Sequence, residues 1–207
     1  MVSTRHGALG LKEDKRVKTV ASAVFTLFYT VLSMLFLIRG NYVYILESAG
    51  IYSIYLVYFY TERKGKVFIN GYVLILCFIM GMVHSFFGHY LMAYDTSVYF
   101  DKILHFYAIF SFTMASYSLM CNSSSFNNSS KKWILLTMVM YGTAIGAIHE
   151  IVEFSLDTFI GTQSQKGLLD TNLDLVADFL GALTAGIIVA YTKIIDYINI
   201  KYEDKND

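Results

Sequence analysis

Long apolar stretches alternate with short polar breaks along the chain, and the apolar stretches carry no clean amphipathic period. Six of them, at about residues 17–38, 42–61, 67–92, 101–121, 133–160 and 173–200, are long enough to span a bilayer as helices, which takes about 20 apolar residues. The longer ones fit by tilting or by projecting beyond the hydrocarbon. The pattern predicts an all-α fold, a polytopic membrane helix bundle making one integral membrane domain over residues 1–207, with no break long enough for a soluble domain. The first apolar run follows a basic N-terminus, as a signal sequence does. It is too long for a signal core and no small-x-small cleavage site follows, so it reads as a retained helix. The sole low-complexity piece, CNSSSFNNSSKK at 121–132, reads as a polar loop.

Composition agrees with that class. Of 207 residues 56% are hydrophobic and only 15% charged, mean hydropathy is +0.50, and proline is absent. A soluble domain of this size carries more charge. The formal net charge of zero removes any electrostatic case for nucleic acid. Cys77 and Cys121 stand far apart without CxxC spacing, which supports neither a disulfide framework nor a thiolate metal site. No Walker, Rossmann or GxSxG pattern occurs.

Basic residues set the orientation. With both termini inside, thirteen of sixteen fall on the inner side, including Arg63, Lys64 and Lys66, Lys131 and Lys132, and Lys193, Lys201 and Lys205. Only Arg39, Lys102 and Lys166 fall outside, so the positive-inside rule predicts N-in, C-in, in the plasma membrane.

The ionisable residues then sort by depth. Nine of the sixteen acids and four of the five histidines gather in the outer half. Each is costly in lipid, about 2.5–3.5 kcal/mol on insertion scales, and such residues are kept where they face one another, water or a bound ion. Asp101 and His105 are four apart and share a helix face; Glu150, Glu153 and Asp157 form one stripe, with His149 in reach of Glu153; Asp170, Asp174 and Asp178 form another. Asp170 is expected to precede the last helix. Carboxylates at that spacing repel, so a shared proton, a cation, Lys102 or Lys166 must offset them. Three such faces with imidazoles between them are ligands for a divalent cation. Candidate roles follow: catalytic for Glu150, Glu153, Asp178 and His149; metal-binding for Asp101, His105, Glu153, Asp174 and Asp178; substrate-binding for His84, Lys102 and Asp157. His149, Glu150, Glu153 and Asp178 should sit one to three turns below the surface. Asp101 and Asp174 also suit helix N-termini through the macrodipole, and Asp101, Lys102 and Asp157 also read as solvated helix ends. His89 reads as interfacial and Glu47 as snorkelling outward. Tyr and Phe read as lipid-facing and interfacial, and Gly142, Gly146, Gly181 and Gly186 as close helix-packing positions.

HEIVEFSLDTFIGTQSQKGLLDTNLDLVADFLGA at 149–182, preceded by DKILHF at 101–106, resembles the YjdF-type family of small membrane proteins. The resemblance covers about the C-terminal half, and that family has no assigned function. More distantly, a DK-x-x-HF helix start, a Glu-bearing helix and a D-x-x-x-[DN]-x-x-G helix resemble the scheme of VanZ-like proteins. Here Asp178 stands where those commonly have Asn, and their E-x-x-Q is absent. VanZ-like proteins are associated with glycopeptide resistance, and the resemblance identifies the site rather than the activity.

Three function classes fit. A metal-dependent enzyme would act on a lipid or envelope-precursor headgroup, with the bilayer as its setting. A proton- or cation-coupled transporter would use the acids as a relay, but they stop at the outer half and no inverted repeat is visible. A non-catalytic protein would use them as a structural polar network. The one-sided geometry favours the enzyme.

Overall fold

The computed structural model describes residues 2–121, 126 and 128–192, with side chains from residue 12 onward. Its described elements are all helical: α1 (Val2–Ile38), α2 (Tyr42–Arg63), α3 (Gly71–Val83) continuing into a π-helix (His84–Tyr90), a single turn α4 (Ala93–Thr96), α5 (Val98–Met120), α6 (Lys131–Phe159) and α7 (Leu168–Tyr191). Six of these helical runs are long and apolar enough to cross a membrane, which bears out the polytopic all-α expectation.

The helix ends differ from the apolar limits for local reasons. The third span starts at Gly71 rather than 67 because Asn70 caps it, its side chain accepting from the Tyr72 amide at 3.0 Å. The last span starts at Leu168, five residues earlier than hydropathy indicates, so Asp170 lies inside its first turn and not before it. Gly167, at φ +116°, lets the chain turn there, and Asp170 accepts the Lys166 amide at 2.9 Å. Hydropathy misses that turn because its acid and polar residues serve the helix end. The first helix runs back to Val2. Residues 122–125, 127 and 193–200, with Lys193, Lys201 and Lys205, belong to expectations that lie outside the described residues.

Two kinds of packing build the bundle. Aromatic rings join α1, α2 and α3: Phe25 stacks on Phe78 at 4.1 Å and meets Tyr55 edge-on at 5.5 Å. Small residues join α5, α6 and α7. A Cβ on Gly142 would meet the Ala182 Cβ at 2.6 Å, and one on Gly181 would lie against the α5 backbone at the Phe106 carbonyl and the Phe110 amide. Glycine at these points lets the helices approach closely enough for short polar side chains to touch across them. Exposed apolar residues such as Leu27, Leu46, Ile54 and Phe159 cover the outside, as contact with lipid requires.

The two ends are pinned by ions. At one, Lys18 pairs with Asp14 at 2.9 Å and Glu62 at 2.5 Å, while the Gly71 amide donates to Asp14 at 2.6 Å. At the other, which the charge rule assigns to the outside, Arg39 donates to the Tyr90 carbonyl and Lys166 to the Tyr94 carbonyl, each at 2.7 Å.

Gly181→Ala is expected to lower stability by about 1–3 kcal/mol, because its new methyl meets backbone that moves only if α5 and α7 part. A thermal melt in detergent checks this, with Gly50→Ala, whose Cβ meets nothing within 4 Å, as the unchanged control. Reporter fusions at Asp95 and Gln165 should report the outer side and one at Lys64 the inner; an inner signal at Asp95 would reverse the assigned orientation.

Candidate functional site

His105 sits on α5 one turn beyond Asp101 and faces α7. Its Nδ1 donates to Asp178 Oδ1 at 3.1 Å. That contact exists because Gly146 of α6 leaves room: a Cβ there would collide with the Asp178 carboxylate. With Nδ1 so held, Nε2 points toward Asp101 Oδ1 at 3.7 Å and Asp174 Oδ1 at 3.9 Å. A carboxylate holding one imidazole nitrogen is the usual way a protein orients the other toward a metal.

Lys102 occupies the opposite side of the same acids. Its ammonium donates to Asp101 Oδ2 at 3.0 Å, Asp174 Oδ2 at 2.7 Å and Asp170 Oδ1 at 2.5 Å. Asp101 and Asp174 thus each spend one oxygen on Lys102 and turn the other to His105. The predicted i+4 stripe on α7 is real: Asp170 and Asp174 meet the lysine, Asp174 and Asp178 the imidazole.

α6 closes the third side. His105 Nδ1 is 3.9 Å from Glu150 Oε1, and the His149 ring lies edge-on to the His105 ring at 5.1 Å. Ligand atoms of His105, His149, Glu150 and Glu153 lie within 4.8 Å of one another, as do those of Asp101, His105 and Asp174. Asp178 is 0% exposed, Asp174 1% and Glu150 5%, while the His149 side chain is 53% exposed. Glu150 and Asp178 are therefore buried between the helices, whereas His149 stands at the cluster's edge. Its place on α6 turns its ring along the bundle's outer surface.

Three buried carboxylate oxygens here, Glu150 Oε1, Asp174 Oδ1 and Asp178 Oδ2, have no hydrogen-bond partner among the described residues. Leaving such atoms unpaired costs several kcal/mol in an apolar setting. The surroundings supply six carboxylates, one ammonium and two imidazoles, a surplus of acceptors that a proton or a metal cation would relieve.

The 161–167 loop gives this cluster an opening. Asp157 accepts from the Ser164 and Gln165 amides at 2.9 and 2.8 Å and from the Thr162 hydroxyl. Gln165 in turn donates to the Glu150 carbonyl and to Glu150 Oε2, both at 3.1 Å. Between loop and helices lies a groove of about 670 Å³, lined by Glu150, Phe154, Asp157, Gln165 and Thr171 among others. Asp157 borders it but is engaged in shaping the loop.

His84 lies in a separate group. Its Nε2 is 2.5 Å from Glu47 Oε1, its Nδ1 is 2.6 Å from the Tyr94 hydroxyl, and His89 Nε2 is 2.9 Å from the same Glu47 oxygen. Burial, then the negative charge of Asp101, Glu47 and Glu153, pushes the Tyr94 phenol pKa up, which keeps it a neutral hydroxyl able to accept from His84 Nδ1–H. Reading His89 as interfacial and Glu47 as snorkelling missed this group. Two histidines five apart do not share an α-helical face, and only the π-helix at 84–90 turns both toward α2. Gln165 and Tyr94 were also missed, since neither stands in a charged stripe.

Comparison with known proteins gives kinship without an activity. An uncharacterized protein of Thermotoga maritima is 37% identical over 108 residues, a match covering 52% of this chain and 56% of that protein. No solved structure matches. The sequence profile of the predicted membrane proteins termed DUF2238 matches residues 20–194, from within α1 to the end of α7 and across the whole of the cluster above, and the chain belongs to that family.

Proposed function

We propose that the outer cluster binds a divalent cation and that the protein is a metal-dependent enzyme of the plasma membrane, acting on a lipid or envelope-precursor headgroup. The observation that supports it is the His105 imidazole, fixed through Nδ1 by Asp178 while Nε2 faces Asp101 Oδ1 and the unpaired Asp174 Oδ1. In this reading Asp101, His105 and Asp174 are the ligands, and Asp178 positions the imidazole. One imidazole with carboxylates suits Mn²⁺, Fe²⁺ or Zn²⁺ better than Ca²⁺.

A metal held there polarises a phosphoryl or carbonyl oxygen and makes a bound water more acidic. Glu153 and His149, at the cluster's open edge, are placed to take a proton from water and to return one to the leaving oxygen. Glu150, steadied by Gln165, borders the groove through which a headgroup would arrive. One observation favours a second reading, a structural polar network: Lys102 by itself already engages three carboxylates.

Metal analysis of the purified full chain separates the two. One equivalent of bound metal should disappear in His105→Gln and in Asp174→Asn. Glu153→Gln should keep the metal and lose its effect on the lipid or precursor pool of expressing cells, seen by mass spectrometry. Variants that fold equally well, with metal content unmoved and every lipid pool alike, would leave the network reading standing.

A further inference from the structure

We infer that Glu47, His84 and His89 form a second metal site, separate from the first, which takes a small divalent transition ion such as Zn²⁺ or Co²⁺. Three side chains on two elements converge: Nε2 of His84 and of His89, from the π-helix, both lie on Oε1 of Glu47 from α2, and one ligand atom from each residue falls within 4.8 Å of the others. Two imidazoles with one carboxylate make the ligand set that zinc sites with an open fourth position use.

Both histidines are oriented through something other than the shared carboxylate. The Tyr94 hydroxyl lies 2.6 Å from His84 Nδ1, which leaves Nε2 as the ligand atom. The His89 ring stacks on Tyr44 at 4.4 Å, which fixes its plane. The His84 and His89 rings stand at 88° to one another with centroids 4.7 Å apart, so their nitrogens approach one point from different directions. In a tetrahedral site with bonds of about 2.0–2.1 Å, ligand atoms are about 3.3–3.4 Å apart. The Nε2-to-Oε1 separations here are 2.5 and 2.9 Å. Glu47 therefore need withdraw by less than about 1 Å to reach the ligand separations that such an ion sets.

The backbone is bent to make this arrangement. The π-helix places residues five apart on one face, and Met92, at φ +58°, then reverses the chain so that α4 returns Tyr94 to His84. A non-glycine residue in the left-handed region carries strain that the surrounding contacts must hold. Gly88 serves the same end, since a Cβ there would collide with the Tyr94 ring. A π-turn, a left-handed methionine and a glycine thus all act to bring one phenol, two imidazoles and one carboxylate together. The same seam carries the Lys166–Tyr94 contact, which ties this group to the loop over the first cluster.

The test is titration of chelator-treated full chain, in detergent, with Co²⁺ and Zn²⁺, read by equilibrium dialysis and by the Co²⁺ visible spectrum. Glu47→Gln combined with His89→Gln should remove one equivalent that His105→Gln leaves in place. Tyr94→Phe keeps all three ligands, and should weaken that equivalent by about 10–100-fold without changing its stoichiometry. If the first cluster binds no metal, wild type still takes one equivalent and loses it only in the Glu47 and His89 variant, so the two readings fail separately. A wild-type chain that binds no metal, or whose bound metal is untouched both by the double variant and by Tyr94→Phe, overturns the second site.

Discussion

The contact between His105 and Asp178 is the one on which the outer end of the bundle depends. Neither side chain reaches water: Asp178 is 0% exposed and His105 7%. Removing one member of such a buried pair strands the other, at about 3–5 kcal/mol. The contact exists only because Gly146 gives Asp178 its space and Gly181 lets α7 rest on the α5 backbone. Close helix approach and polar chemistry are therefore one requirement here. A bulkier residue at either glycine would separate the helices, and Lys102 would lose Asp170 and Asp174 with them.

The bundle divides its labour accordingly. α1, α2 and α3 meet through wide aromatic rings, which fill space and hold the helices apart. α5, α6 and α7 meet through glycine and alanine, which let short carboxylates span the gap. Polar clusters differ in composition at the two ends. At the Asp14 end, Lys18 bridges Asp14 and Glu62 while the Gly71 amide donates to Asp14. At the Asp101 end three buried carboxylate oxygens lack a hydrogen-bond partner among the described residues, the imbalance on which the proposed ion site rests.

Much of this was legible in the sequence, because bilayer length and helical period are strong constraints. Six spans and the stripes at 150, 153 and 157 and at 170, 174 and 178 follow from counting alone. Which stripe members meet was less legible. Asp157 shares the stripe of Glu150, yet its oxygens go to the loop amides of Ser164 and Gln165. A stripe gives direction about the helix axis, whereas depth along the axis and the path of the following loop decide the partner. His84 and His89 were harder still. Their pairing depends on a π-turn, and no α-helical spacing rule reveals residues five apart as neighbours. Asp170 was placed outside its helix because hydropathy sees an acid and cannot see that it caps the turn through the Lys166 amide.

Tyr94 joins the two clusters into one rim. Its hydroxyl meets His84, its carbonyl accepts Lys166, and its ring fills the space over Gly88. Lys166 adjoins Gln165, which reaches Glu150, and Glu150 adjoins His105. A continuous path of side-chain contacts and chain neighbours thus runs from the π-helix to the buried imidazole, crossing from the aromatic half of the bundle to the glycine half. Such a path transmits a change only if one of its members has two arrangements. The 161–167 loop is the member best placed for that. Glycines at φ +82° and +116° bound it, and it bears on the cluster through hydrogen bonds and one lysine contact, without a packed apolar core of its own. Gln165 and Gly167 of that loop line the groove beside Glu150, and Lys166 between them holds the Tyr94 carbonyl, so one short segment borders both clusters.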